Sequence, residues 1–185
     1  MKIAVVTGAS SGLGKEFARQ IPHLYKKLDE IWVVARRENR LKILAERMEE
    51  RERISVRIFA GDLAKDSVYE RLASALCEDQ PDIRMLVNCA GFGKMGRFGE
   101  IPEKEQLSMI DVNCRALTRM TLVCLPYMSG GSRIVNAASA AAFSPQPGFA
   151  VYAAGKAYVK SLSHALAAEL KERQIFATAV CPGPV

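Results

Sequence analysis

The segment that most narrows what this chain can fold into is Val5-Val6-Thr7-Gly8-Ala9-Ser10-Ser11-Gly12-Leu13-Gly14, where three glycines separate a short β-branched run from a helical stretch. Glycine permits a tight turn and lets the backbone approach phosphate oxygens, while the N-terminus of a following helix offers unpaired N–H groups and a favourable dipole. A strand, a glycine turn and a helix in that order suit a dinucleotide pyrophosphate, with Gly8, Ser10, Ser11, Gly12, Leu13 and Gly14 as its contacts. The spacing departs from the common G-x-G-x-x-G fingerprint, having three residues between its first two glycines, so the reading rests on the strand-to-helix context. A glycine-rich connection without a ligand is the competing reading.

The rest of the chain repeats the same alternation. Short runs rich in β-branched residues predict strands at Ile3 to Val6, Ile31 to Val34, Ile54 to Phe59, Ile83 to Val87, Arg133 to Asn136 and Ile175 to Val180. Helical periodicity predicts helices at Gly12 to Leu24, Glu38 to Arg53, Lys65 to Glu78, Glu103 to Met128 and Tyr152 to Glu172. This order implies an α/β fold, a doubly wound, mostly parallel sheet of Rossmann type with helices on both faces. In the last helix Val159, Leu162, Ala165, Leu166 and Leu170 form an apolar stripe for packing or for a subunit interface. With 185 residues and no repeat or Pro/Gly-rich linker, a single nucleotide-binding domain over residues 1–185 is expected. Pro145 to Gly148 reads as a tight loop inside it.

Charge and cysteine usage exclude other classes. The net charge of +6 raises the question of nucleic acid, but between Arg36 and Arg57 the cations are interleaved with Glu38, Glu46, Glu49, Glu50 and Glu52. That pattern reads as a solvated helix face with no recognition motif, so no nucleic-acid partner is expected. Five scattered cysteines and two histidines give no metal-ligand spacing; reduced thiols and no metal are expected. No apolar stretch approaches the roughly 20 residues that span a bilayer, and the N-terminus leads straight into the first strand without a signal-peptide pattern. A soluble cytoplasmic protein without a membrane partner is the expectation.

The cofactor can be narrowed further. About 20 residues beyond the turn, proteins that prefer NAD carry an acid for the ribose hydroxyls, whereas an Arg accommodates a 2′-phosphate. Here the second strand ends in Ala35-Arg36-Arg37. A guanidinium hydrogen-bonds and ion-pairs with a phosphate that an acid would repel, so Arg36 predicts NADP(H). Two ordinary surface arginines opening a helix are the alternative.

With these motifs in order, the sequence resembles the short-chain dehydrogenase/reductase family over nearly its whole length. Thr7 to Gly14 is similar to the family's cofactor turn, Gly61-Asp62-Leu63 to its adenine-contacting acid after the third strand, and Asn88-Cys89-Ala90-Gly91 to its Asn-Asn-Ala-Gly element, with a cysteine at the second position. The resemblance implies cofactor contacts at Asp62, Leu63, Asn88, Ala90 and Gly91. It also matches Asn113, Ser139, Tyr152 and Lys156 to the family's catalytic tetrad. Tyr152 and Lys156 are four apart and share a helix face, where an ammonium near a phenol favours the phenolate and suits Tyr152 to general acid/base work. A Ser139 hydroxyl on the loop leaving the fifth strand can stabilise charge on a substrate oxygen. The resemblance further implies that Tyr152 and Lys156 contact the cofactor, Lys156 at the nicotinamide ribose, and that Asn113 holds a water in a proton relay. His164, also on this helix, receives no role.

Cys181-Pro182-Gly183-Pro184-Val185 resembles the family's Pro-Gly turn bordering the nicotinamide, giving Pro182 and Gly183 as contacts. Family members generally continue with a substrate-covering segment that this sequence lacks, which reads as truncation or as a shortened member. Gly91 to Phe98 suits a substrate mouth or, equally, a flexible connection. The expected activity is hydride transfer between NADP(H) and a small-molecule carbonyl/alcohol pair. The alternative is a non-catalytic NADP(H)-binding or redox-sensing protein. The resemblance implies a homodimer or homotetramer packed through the two long helices.

Overall fold

The computed structural model describes residues 1–183; Pro184 and Val185, the end of the Pro-Gly run, lie outside the described residues. Its elements are β1 (Lys2–Thr7), α1 (Gly12–Leu24), β2 (Glu30–Ala35), α2 (Glu38–Glu52), β3 (Ser55–Ala60), α3 (Asp66–Asp79), β4 (Asp82–Asn88), α4 (Glu103–Ile110), α5 (Leu117–Cys124), β5 (Arg133–Ala137), α6 (Ala150–Glu169) and β6 (Phe176–Val180). The strands form one sheet in the order β3-β2-β1-β4-β5-β6, parallel at every pairing.

Strand alternation explains why both faces are covered. Ile3 and Val5 of β1 join Trp32, Val34, Phe59, Leu72 and Met120 in a core under α3 and α5. Their neighbours Ala4 and Val6 point the other way, into a second core with Ile31, Val33, Leu41 and Met48 under α1 and α2. A strand buried on both faces has to read as a continuous apolar run, which is what β1 and β2 do. Trp32 sits at the centre of the first core, its ring 5.1 Å from that of Phe59. Truncating it to Ala would cost about 3–5 kcal/mol through the cavity left behind.

The long helix expected over Glu103 to Met128 is broken into parts. After α4 comes a π-helical segment, Asp111–Ala116, then α5, then a 3₁₀ turn over Leu125–Tyr127. Pro126, without an N–H, ends the α ladder at the second break. The π segment holds Asn113, whose side chain is engaged by a loop outside the helix. In α6 the stripe packs through Val159 and Leu170, with Leu162 and Leu166 half-buried, while Ala165 faces outward and Ser163 is buried instead.

Candidate functional site

A cleft of about 730 Å³ opens where the carboxyl ends of the strands meet, and the order 3-2-1-4-5-6 places it at the switch point between β1 and β4. Gly8 follows β1 with φ +70°, and a Cβ there would lie 2.8 Å from the Ala90 nitrogen. A Cβ on Gly14 would lie 2.5 Å from the Gly8 carbonyl oxygen. The turn therefore closes on main chain alone. Ser11, the residue before α1, makes no side-chain cap bond, so the first N–H groups of that helix are open to an anion. Thr7 stitches β1 to β4, its Oγ1 accepting the N–H groups of Cys89 and Ala90, each at 3.1 Å.

Next to the turn, the Arg37 guanidinium donates to Ser10 Oγ at 3.0 and 3.1 Å and to Ser11 Oγ at 2.6 Å. Arg36 also lines the cleft but extends into solvent. Asp62 and Leu63, after β3, border the same end, and Asp62 Oδ1 accepts the Ala64 N–H at 3.0 Å to fix its own loop.

Asn88 and Asn113 do not reach the cleft wall; both are buried beneath it. Asn88 Nδ2 donates to Thr121 Oγ1 at 3.1 Å and to Asn136 Oδ1 at 2.9 Å, and Asn136 in turn donates to Ser163 Oγ at 3.0 Å. This ladder ties α5 to α6 through the ends of β4 and β5. Asn113 clamps the main chain of one residue on both sides: its Oδ1 accepts the Phe92 N–H at 3.0 Å and its Nδ2 donates to the Phe92 carbonyl at 2.9 Å. A Cβ at Gly91 would meet Asn113 Oδ1 at 2.8 Å and Lys156 Nζ at 3.5 Å, so both groups converge on this glycine.

Ser139, Tyr152 and Lys156 all line the cleft. Ser139 precedes the 3₁₀ turn Ala140–Phe143, and its Oγ accepts the Ala141 N–H at 3.2 Å. An oxygen used as an acceptor in this way still has its own proton to donate. Lys156 is buried, its Nζ donating to the Ala137 carbonyl at 2.6 Å and lying 5.6 Å from the centre of the Tyr152 ring. Burial holds its pKa below the usual lysine value, with Cys89, Cys114 and Cys181 acting in the opposite sense. Burial pushes the Cys89 thiol up to about 12. Pro182 and Gly183 close the wall beyond β6.

Two participants escaped the sequence reading, and a third, Thr7, was read only as the opening of the cofactor turn, without its bonds to Cys89 and Ala90. Arg37 is indistinguishable from Arg36 until the hydrogen bonds to Ser10 and Ser11 are seen. Phe149 stacks on Tyr152, ring centres 4.2 Å apart, and its only signal is an aromatic three residues before that tyrosine.

Comparison with known proteins bears on the family and the fold. The family profile described as short chain dehydrogenase matches residues 2–185. The chain is 31% identical over 185 residues to the very-long-chain 3-oxoacyl-CoA reductase of Rattus norvegicus, covering 97% of this chain and 58% of that protein. It therefore spans little more than half the length of that relative. A short-chain dehydrogenase from Sphingobium yanoikuyae in complex with NADPH superposes with a TM-score of 0.88 at 30% identity, over 100% of this chain and 72% of the other. L-sorbose reductase from Gluconobacter frateurii, complexed with NADPH and L-sorbose, superposes with a TM-score of 0.88 at 28% identity, over 98% and 69%. With the profile running from β1 to the residues after β6, and with the same parallel sheet in its neighbours, the chain belongs to the short chain dehydrogenase family of oxidoreductases.

Proposed function

We propose that this chain transfers a hydride between NADP(H) and a carbonyl/alcohol pair, with Tyr152 as general acid/base. The observation that carries the reading is the buried Lys156 ammonium, fixed by Ala137 and placed beside the Tyr152 ring in the cleft that the glycine turn opens into. The residues fit the cofactor: the bare turn at Gly8, Gly12 and Gly14 and the open helix N-terminus suit the pyrophosphate, and Asp62 suits the adenosine end. Arg36 and Arg37 suit a 2′-phosphate. Bound there, NADP(H) supplies or accepts the hydride.

In the reduction direction Tyr152 gives its phenolic proton to the carbonyl oxygen, and in oxidation it takes that proton from the alcohol. Ser139 donates to the same oxygen and stabilises the charge that develops on it. Lys156 binds the nicotinamide ribose and keeps positive charge near the phenol. Asn113 acts from beneath, through the Phe92 main chain it clamps. Phe92 and Met95 give the substrate end an apolar mouth, in keeping with a relative named for a long-chain 3-oxoacyl substrate. One nucleotide-binding domain spans the chain. It assembles with itself through the exposed apolar side chains Leu107, Ile110, Leu122 and Tyr158 of α4, α5 and α6.

The test begins with fluorescence titration by NADPH and NADH, using Trp32 as energy donor. Turnover follows with a panel of acetophenone, cyclohexanone and a 3-oxoacyl thioester. Tighter NADPH binding and turnover of at least one ketone are expected, with Tyr152→Phe lowering kcat by about 10²–10⁴-fold at unchanged NADPH affinity. Binding without turnover would favour the non-catalytic reading, and full activity in Tyr152→Phe would overturn the mechanism.

A further inference from the structure

The loop after β4 meets the Tyr152 ring at a residue that has no side chain. A Cβ built on Gly93 would lie 2.5 Å from Cζ of Phe149 and 2.8 Å from Cδ2 of Tyr152. Both rings would have to retreat by roughly half an ångström or more to regain ordinary contact near 3.4 Å. Gly93 is not among the glycines with positive φ, so its backbone is open to any L residue. What excludes a side chain at position 93 is the ring pair itself. Those rings stack with centres 4.2 Å apart and planes 18° from parallel.

Phe149 is also out of place by the local rules of helices. It stands at the N-cap of α6, a position that favours Ser, Thr, Asp or Asn, and it makes no side-chain cap bond. Helix capping therefore does not explain an aromatic here, whereas the stack on Tyr152, one turn along, does. The loop that carries Gly93 is in turn held in place, because Asn113 bonds both the N–H and the carbonyl of Phe92. Lys94 adds a second tether, its N–H donating to Met109 Sδ at 3.3 Å.

We propose that Phe149 and Gly93 are positioning residues for Tyr152. Phe149 supports one face of the phenol ring, and the bare Gly93 backbone closes on the edges of both rings. Together they hold the phenol in one setting relative to Lys156 Nζ and the cleft. A half-buried tyrosine on a helix has more than one rotamer open to it, and misplacing a reacting group by about 1 Å can cost roughly 10²-fold in rate. This inference rests on the reading of Tyr152 as the acid/base.

The experiment uses the full natural protein, its tyrosine rings isotopically labelled and the Tyr152 ring signals identified by their loss in Tyr152→Phe. In the cofactor-free wild type these signals lie upfield from the ring current of Phe149; in Phe149→Leu they move downfield, and in Gly93→Ala they shift as the rings part. With NADPH and the fastest ketone of the panel, Gly93→Ala and Phe149→Leu lower kcat by about 10- to 100-fold while the NADPH Kd stays within about twofold. Phe149→Tyr, which keeps the ring, restores kcat to within about threefold of wild type. Unmoved Tyr152 signals in Phe149→Leu, or an unchanged kcat in both variants of an active protein, would overturn the proposal, as would loss of activity in a folded Phe149→Tyr. If the wild type turns over no ketone, the oxidoreductase reading fails separately, and the ring signals alone decide whether the brace exists.

Discussion

The two ends of the cleft are built from different materials. At the β1–α1 end the walls are main chain, packed so closely that Gly8 and Gly14 have no room for a Cβ. At the β4–β5–α6 end the walls are held by side chains gripping backbone from a distance: Asn113, beneath the wall, on Phe92, 21 residues away, and Lys156 on Ala137, 19 residues away. The first construction is specified by an absence and is local. The second is specified by polar pairs that only the finished fold brings together.

The largest effect expected to separate the two is at Gly14. Gly14→Ala would press a Cβ into the Gly8 carbonyl and the Thr7 oxygen, both backbone atoms that no side-chain rotation can move. A cost above about 4 kcal/mol is expected, enough to unfold a marginal domain. Gly12→Ala is the control, because nothing lies within 4 Å of its Cβ position and only its φ of +53° is strained. It should cost about 1–2 kcal/mol and lower the melting temperature by roughly 2–8 °C. Equal losses in thermal melts would mean that the turn is governed by φ alone and not by close approach.

At the other end, Asn113→Ala leaves the Phe92 N–H and carbonyl without their partner. A loss of about 2 kcal/mol in denaturant unfolding is expected, with Asn113→Asp, which keeps only the acceptor, falling between. A loss below about 0.5 kcal/mol would make the clamp incidental and remove the contrast drawn above.

This division also explains what could be read from the residues in advance. The glycine turn, the six strands and the helix boundaries were legible to within a residue or two at most ends, because alternation and periodicity are local properties. The π segment around Asn113 was not, since nothing in Asp111 to Ala116 marks a widened turn, and the partner of Asn113 lies in a loop about twenty residues earlier. Asn88 and Asn113 could be singled out, yet not that they sit beneath the cleft wall and not in it. Phe149 was missed for a similar reason: its place before Tyr152 acquires meaning only when Gly93 closes on both rings.

A smaller effect should distinguish the neighbouring arginines. The Arg37 fork is already held by Ser10 and Ser11, so little freedom remains for it to lose on meeting a phosphate, whereas Arg36 extends into solvent. Arg37→Ala should weaken NADPH binding by about tenfold, near 1.4 kcal/mol, and Arg36→Ala by less, with NADH affinity unchanged in both. A reversed order in the titration would mean that the serines hold Arg37 away from the phosphate.

The smallest effect is a slope with pH, and it tests whether the side-chain end is truly dry. Burial holds the Lys156 pKa in the folded protein below the ordinary 10.5, while the unfolded chain keeps its proton up to about that value. Between the two, the unfolded state binds more protons, so stability rises with pH across that window. Below the folded value both states are protonated and the cost of burying the ammonium is present in full, offset in part by its bond to Ala137. Lys156→Met removes the charge and the slope together. At neutral pH the variant should match wild type to within about 1 kcal/mol although its turnover is lost. As the pH is raised toward 10, wild type should gain on it in denaturant midpoints. A difference that stays flat would mean the ammonium keeps its water, and that this end of the cleft is as open as the glycine turn.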